Sequence, residues 1–189
     1  MKNKRGRSPR ILAICCSPRE NGVNASLAKD FKKKSPLDSV TIIMLSQKNI
    51  SPCDSCGYCV TSKLCHYNDD FNDIVENINL HEAIIFFCPV YKGSVPSKVR
   101  AFIERTTILY GSTSIYEQKI IGIVVTGKVE GVGKLTVADD LMHFATSLGF
   151  IIVPPIIFGH VLPDGELMRY DEIIASLSHL VERIKFWAK

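Results

Sequence analysis

Ile11-Leu12-Ala13-Ile14-Cys15-Cys16-Ser17-Pro18-Arg19-Glu20-Asn21-Gly22-Val23-Asn24-Ala25-Ser26 is the stretch on which the fold turns. It opens with a continuous apolar run, as in strands covered on both faces. A polar loop broken by Pro18 and Gly22 follows, and then an amphipathic segment begins. A buried strand feeding a helix through a short loop is the first half of a βαβ unit. The loop carries no G-x-G-x-x-G, so the glycine fingerprint of a dinucleotide site is absent.

The same alternation continues to the end of the chain. Apolar, β-branched runs at 39–45, 83–88, 120–126 and 151–158 interleave with amphipathic stretches at 25–33, 71–79, 97–110, 135–148 and 170–187. In the last of these, Ile173, Ile174, Leu177, Leu180, Val181 and Ile184 recur at helical spacing, which predicts one buried face. Asp69 or Asp70 suits the N-cap of the helix beginning near 71. Five strands and five helices in alternation predict an α/β fold: a doubly wound, five-stranded parallel sheet with helices on both faces. Without the dinucleotide fingerprint, the flavodoxin-like order 2-1-3-4-5 is the expected topology.

With 189 residues, 46% hydrophobic and 22% charged, the chain suits one core. We expect a single domain over 11–189 with a cysteine-rich insert at 49–70, behind a basic tail at 1–10 that holds Lys2, Lys4, Arg5, Arg7 and Arg10. No apolar run reaches the roughly 18 residues of a membrane span. The run at 11–16 is too short for a secretory segment and lacks a cleavage site after it, so no membrane association and a cytoplasmic location are expected. The net charge of +4 is concentrated at the N-terminus. With no basic helix or interleaved aromatic stripe, the tail reads as a solvated terminus and no nucleic-acid partner is expected. His66, His81, His143, His160 and His179 show no metal-ligand spacing, and no nucleophile elbow or acid pair is present. Hydrolysis is not expected; the chemistry would belong to cofactors.

Three loops carry the candidate binding residues. The first, 17–26, leads into a helix N-terminus, where backbone N–H groups can meet an anion. Ser17, Asn24 and Ser26 could add hydrogen bonds, Ala25 a backbone N–H, and Arg19 a bidentate charge; an ordinary loop with a Ser or Asn cap reads equally well. The second is Pro89-Val90-Tyr91-Lys92-Gly93-Ser94-Val95-Pro96, with an aromatic residue beside a glycine at the mouth of a strand. The third, Thr126-Gly127-Lys128-Val129-Glu130-Gly131-Val132-Gly133, lets backbone approach a ligand closely. In a parallel sheet all three emerge at one edge. Phosphate on the first loop and a flat ring on the second is an arrangement this topology offers to FMN.

Cysteine use is the outlier, with seven in the chain. Cys53, Cys56, Cys59 and Cys65 form C-x2-C-x2-C-x5-C. A repeated C-x2-C step is how ferredoxins wrap thiolates around a cubane cluster, whereas structural zinc sites more often use two distant pairs. A [4Fe–4S] cluster, zinc and redox-active thiols remain open on spacing alone. Cys15, Cys16 and Cys88 lie in predicted strands and read as small core hydrophobes.

Ser17-Pro18-Arg19 with the following Gly22 and Asn24, then Pro-Val-Tyr-x-Gly-Ser-Val-Pro-x5-Phe-Ile-x-Arg over 89–105, resembles the NADPH-dependent FMN reductase group of flavodoxin-like proteins. Lys98, Phe102, Ile103 and Arg105 carry the resemblance into the helix. Cys16 before Ser17, where many members have glycine, and Val23 depart from the usual pattern. The cysteine spacing, placed after the second strand, resembles the iron–sulfur flavoproteins of anaerobic archaea and bacteria. That resemblance implies a [4Fe–4S] cluster on Cys53, Cys56, Cys59 and Cys65, and FMN as a second redox centre. It further implies a homodimer or dimer of dimers, and an electron donor that is either ferredoxin-like or NAD(P)H. Two other readings remain: an NAD(P)H-dependent FMN or quinone reductase without a working cluster, and a thiol redox-sensing interaction protein.

Overall fold

Every residue of β1 (Ile11–Cys15), β3 (Ala83–Pro89) and β4 (Ile120–Gly127) is buried, which is why these runs are apolar throughout rather than alternating. The structure is a computed structural model that describes residues 9–35, 40–109, 116–128, 131–154, 156–162 and 164–187. Most of the basic tail, Ser39, Tyr110, Val129 and Glu130 lie outside them.

The strands run parallel in the order β2-β1-β3-β4-β5, with β2 (Val40–Met44) at one edge. Register is continuous across the centre: Ile11 pairs with Val40 and with Ala83, and Ala83 pairs with Ile120. Side chains alternate between two cores. Ala13, Cys15 and Phe87 face α1 (Val23–Lys34) and α6 (Tyr170–Trp187). Ile14, Cys16, Phe86 and Cys88 face α3 (Phe71–Leu80), α4 (Ser97–Arg105) and α5 (Val132–Ser147). In the second core Phe86 and Phe102 both pack on Phe144, at ring-centroid distances of 5.7 and 5.9 Å. Truncating one of these rings to alanine costs about 3–5 kcal/mol. The topology is flavodoxin-like, and no helix among the described residues is long and apolar enough to cross a membrane.

Several elements differ from the sequence expectation. The fifth strand, read as one run at 151–158, is two pieces: β5 (Ile151–Ile152) and β6 (Ile157–His160), both parallel to β4. Ile151 pairs with Ile120 and Ile157 with Val124, so the edge advances six residues against four and the excess loops out. Pro154 has no N–H for a ladder and lies in the gap between the two pieces. The helix expected at 97–110 ends as an α-helix at Arg105 and tightens into a 3-10 turn, Thr106–Leu109. There Thr106 and Thr107 donate their hydroxyls to the carbonyls of Ile103 (2.6 Å) and Glu104 (2.8 Å), in competition with the regular ladder. The insert contains a helical turn absent from the sequence reading, α2 (Tyr58–Ser62). Asp70 occupies the N-cap of α3 without a side-chain cap bond; its carboxylate and that of Asp69 are engaged by the insert.

Candidate functional site

β1 and β3 are neighbours, yet the chain leaves them toward helices on opposite faces, which opens a crevice at their C-terminal ends. On one side, α1 begins after an extended Gly22, with no side-chain cap and no acidic residue in its first turn. Its first N–H groups are open to an anion. Ser17 is buried, and its Oγ accepts from the Arg19 N–H (3.1 Å), which leaves the hydroxyl hydrogen to donate. Arg19 and Ser26 are exposed beside it, and Ala25 is buried.

Asn24 and Thr126, both singled out as cofactor residues, are held by each other. Asn24 Nδ2 donates to Thr126 Oγ1 at 2.8 Å and so ties α1 to the end of β4. Asn24 Oδ1 is buried without a partner. Such an orphan acceptor costs about 1–3 kcal/mol and suits a ligand hydroxyl such as those of the ribityl chain of FMN.

The β3 loop is a tight two-residue turn. Tyr91 and Ser94 exchange both backbone hydrogen bonds (2.9 and 3.0 Å), while Lys92 and Gly93 sit at φ 49° and 80°. Two consecutive left-handed residues make a type I′ turn. The N–H groups of Tyr91 and Ser94 are thus taken, and those of Lys92 and Gly93 have no partner among the described residues. Pro89 ends β3, and the Val90 N–H donates to the Thr126 carbonyl at 2.8 Å. Ser94 Oγ donates to Asp140 on α5 (3.1 Å), which also pairs with Arg100 at 2.7 Å. The third loop closes against this turn: a Cβ at Gly133 would stand 3.0 Å from Val90 Cγ1 and 3.3 Å from Gly93 Cα. Gly127 ends β4, and Gly131 adopts φ 101°.

A pocket of about 220 Å³ lies at this crevice, lined by Cys16, Ser17, Pro18, Leu45, Ser46, Tyr91, Pro96, Ser97 and Lys98. Leu45, Ser46 and Lys98 were not site candidates in the sequence. Lys98 donates its ammonium to the carbonyls of Leu45 (3.2 Å), Ser46 (3.2 Å) and Lys48 (2.6 Å), pinning the turn after β2 to the first turn of α4. A cation at a helix N-terminus opposes the helix dipole, and that misfit was the available signal. A larger hollow of about 680 Å³ runs along β6 and the starts of α5 and α6; it includes neither Ser17 nor Tyr91 nor any cysteine. Deep burial pushes the Cys16 thiol well up and the Cys15 thiol up, which keeps both protonated and unreactive.

The cysteine loop is closed at its base. The Asn49 N–H donates to Asp70 Oδ2 (2.7 Å), the Asp70 N–H donates to the Asn49 carbonyl (3.0 Å), and Lys48 pairs with Asp70 at 2.8 Å. Asp69 Oδ2 accepts from the Ser51 N–H (2.9 Å) and from Arg105 Nη1 (2.6 Å), and Arg105 also donates to the Ser51 carbonyl at 3.2 Å. The Arg105 and Asp69 side chains are 1% and 4% exposed, so this is a buried ion pair. Burial acts to raise the Asp69 pKa, but Arg105 and the N–H groups of Ser51 and Phe71 outweigh it and hold it below the usual value. Lys48 and the Asn49 N–H do the same for Asp70.

Within the loop, Ser55, Gly57 and Lys63 adopt left-handed φ of 58°, 73° and 58°, giving the sharp turns that close cysteine spacing needs. Cys53 and Cys56 are exposed, whereas Cys59 and Cys65 are half-buried against the core. Asp54 Oδ2 lies 3.0 Å from His66 Nε2 and 3.3 Å from the Tyr67 hydroxyl. Among the described residues, Asp54, Cys56 and His66 form the one group of three metal-ligating side chains within 4.8 Å of one another. No three cysteine sulfurs there meet the spacing of a tetrahedral zinc, whose Zn–S bonds are about 2.3 Å.

The profile of the NADPH-dependent FMN reductase family matches residues 9–161, from the strand before the first loop to the end of the sheet. The chain belongs to that family. Members are FMN-dependent oxidoreductases, and the three loops at the crevice lie inside the matched region. An iron–sulfur flavoprotein of Archaeoglobus fulgidus is 31% identical over 156 residues, covering 77% of this chain and 70% of the relative. One from Methanosarcina thermophila is 28% identical over 151 residues, covering 76% of each. Within the family, then, this chain is of the iron–sulfur flavoprotein kind. Solved structures agree on the fold: the Trp repressor binding protein from Bacillus subtilis superposes with a TM-score of 0.65 at 17% identity over 90% of this chain and 98% of its own. A flavodoxin, WrbA-like protein from Agrobacterium tumefaciens gives 0.64 at 14% identity over 95% and 98%.

Proposed function

We propose that this family member passes electrons between a [4Fe–4S] cluster held by Cys53, Cys56, Cys59 and Cys65 and FMN seated at the β1/β3 crevice. The observation that carries the reading is α4, which grips both places. Lys98 at its start holds the Leu45–Ser46 wall of the pocket, and Arg105 at its end holds the base of the cysteine loop. Lys98 and Arg105 stand seven residues apart, about 10.5 Å along the helix, and their sharing of one rigid element supports electron exchange between the two sites.

When bound, FMN would supply two-electron chemistry and the cluster one-electron transfer. The protein's part is placement. The uncapped start of α1, with Ser17, Arg19 and Ser26, would receive the phosphate, and Asn24 Oδ1 would accept from the ribityl chain. Tyr91 and the free N–H groups of Lys92 and Gly93 would meet the ring, with Gly127 and Gly131 beside them. A one-electron carrier of the ferredoxin type would deliver electrons at the exposed Cys53–Cys56 side. A cytoplasmic homodimer or dimer of dimers completes the reading. The family description favours a second donor, NAD(P)H, delivering hydride directly to the flavin.

Anaerobically purified protein tests this by its flavin, iron and sulfide content. One FMN with about four iron and four sulfide per chain, and loss of iron but not FMN in Cys59→Ser, supports the proposal. Flavin without iron or sulfide replaces it with the simple reductase.

A further inference from the structure

Arg105 has an unusual environment even for a residue that clamps a loop. It is 2% exposed, yet Nη1 makes all of its hydrogen bonds; Nε and Nη2 are buried without a partner. The guanidinium carbon lies over the rings of Phe71 and Tyr67, 4.4 and 5.2 Å from their centroids. The Nε and Nη2 hydrogens lie in the guanidinium plane, so any further acceptor must approach along that plane. Cys65, half-buried at the end of the cysteine loop, lies near enough to interact with the guanidinium but completes no hydrogen bond with Nε or Nη2.

Buried N–H groups on a cation are rarely left bare, because each lost partner costs the full desolvation of the donor. A neutral thiol is a weak acceptor, whereas a metal-bound thiolate or an inorganic sulfide is a charged one. The bare edge of Arg105 is therefore matched to a sulfur charge that arises when the loop takes up its cluster.

We propose that Arg105 serves as a positioning and potential-setting residue for the cluster, bridging the Asp69 carboxylate through Nη1 and the Cys65 sulfur through Nε and Nη2. The inference rests on the cluster reading above and adds to it a specific donor. A donor and a positive charge at a ligand sulfur favour the more negative, reduced state, so Arg105 raises the cluster's reduction potential. The Asp69 pairing offsets the charge of a buried cation while leaving Nε and Nη2 available to donate.

The test is an anaerobic redox titration of cluster-loaded protein, followed by electron paramagnetic resonance, together with iron analysis. Arg105→Lys keeps the charge and the Asp69 pair but not the fork. Expected is an intact cluster whose reduction equilibrium moves about tenfold toward the oxidised form, a fall of about 59 mV for a one-electron couple. Should that variant not fold, Arg105→Met with Asp69→Leu removes both buried charges together and is expected to move the potential in the same direction. A wild-type potential in the variant that holds four iron overturns the role of Arg105 and leaves the cluster standing. Wild-type protein without iron or sulfide removes the cluster reading and this inference with it.

Discussion

Replacing Lys98 with methionine, which keeps the length of the side chain and deletes its ammonium, is expected to weaken both the fold and the FMN pocket. The ammonium satisfies three carbonyls, those of Leu45 and Ser46 at 3.2 Å and that of Lys48 at 2.6 Å. Hydrogen bonds from a charged donor contribute about 1.5–3 kcal/mol each, but they are not additive. Lys98 is half-buried, so water can replace part of what is lost. The net cost comes to about 2–4 kcal/mol, a fall in Tm of roughly 4–16 °C for a domain of this size. Because Leu45 and Ser46 line the pocket, a looser turn also costs preorganisation; about 1.4 kcal/mol of it weakens FMN binding about tenfold. Urea denaturation of the apoprotein and fluorescence titration with FMN measure the two effects, with the exposed Lys33→Met as control. Wild-type values in both assays for Lys98→Met would refute the assignment of Lys98 as the clamp of this wall.

Gly133→Val places a branched side chain where a Cβ alone meets Val90 at 3.0 Å and Gly93 at 3.3 Å. It should cost about 1–3 kcal/mol and abolish FMN binding by forcing the β3 turn away, as seen in denaturation curves and flavin titration. The folded-state pKa values of Asp69 and Asp70 are depressed, so the unfolded chain binds more protons at low pH. The stability they contribute is present above the ordinary aspartate value of about 3.9 and is lost as pH falls through their lower folded values. Asp70→Asn should remove part of that acid dependence in urea melts taken across the window. Partial burial and its hydrogen bond to Asp30 push the Tyr170 hydroxyl pKa up to about 12. Its contribution is complete below about pH 10 and lost as pH rises toward the folded value; ultraviolet titration should show a late-titrating tyrosine that disappears in Tyr170→Phe.

The fold was legible because its central strands are buried on both sides, so burial and sequence carry the same signal. Legibility failed where local chemistry overrode the pattern. Pro154 interrupts a strand that hydrophobicity alone reads as continuous, and the paired threonines 106 and 107 tighten a helix that periodicity would extend. At the site, the loops and the cysteines stood out by composition. What composition could not show was how they are held. Asn24 and Thr126 read as two separate ligand contacts, and composition gave no sign that they also bond to each other, 102 residues apart in sequence. Lys98 and Arg105 act through backbone carbonyls and, for Arg105 with Asp69, a buried ion pair, contacts that exist only once α4 lies beside the segment after β2.

Rapid mixing of the cofactor-loaded chain with a reduced one-electron carrier, under anaerobic conditions, tests the coupling of the two centres most directly. The account predicts that flavin absorbance bleaches quickly in the wild type, and that the bleaching is lost in Cys59→Ser protein retaining FMN but no iron. Equal bleaching rates in the two proteins would contradict it, because electrons would then reach the flavin without passing through the cysteine loop.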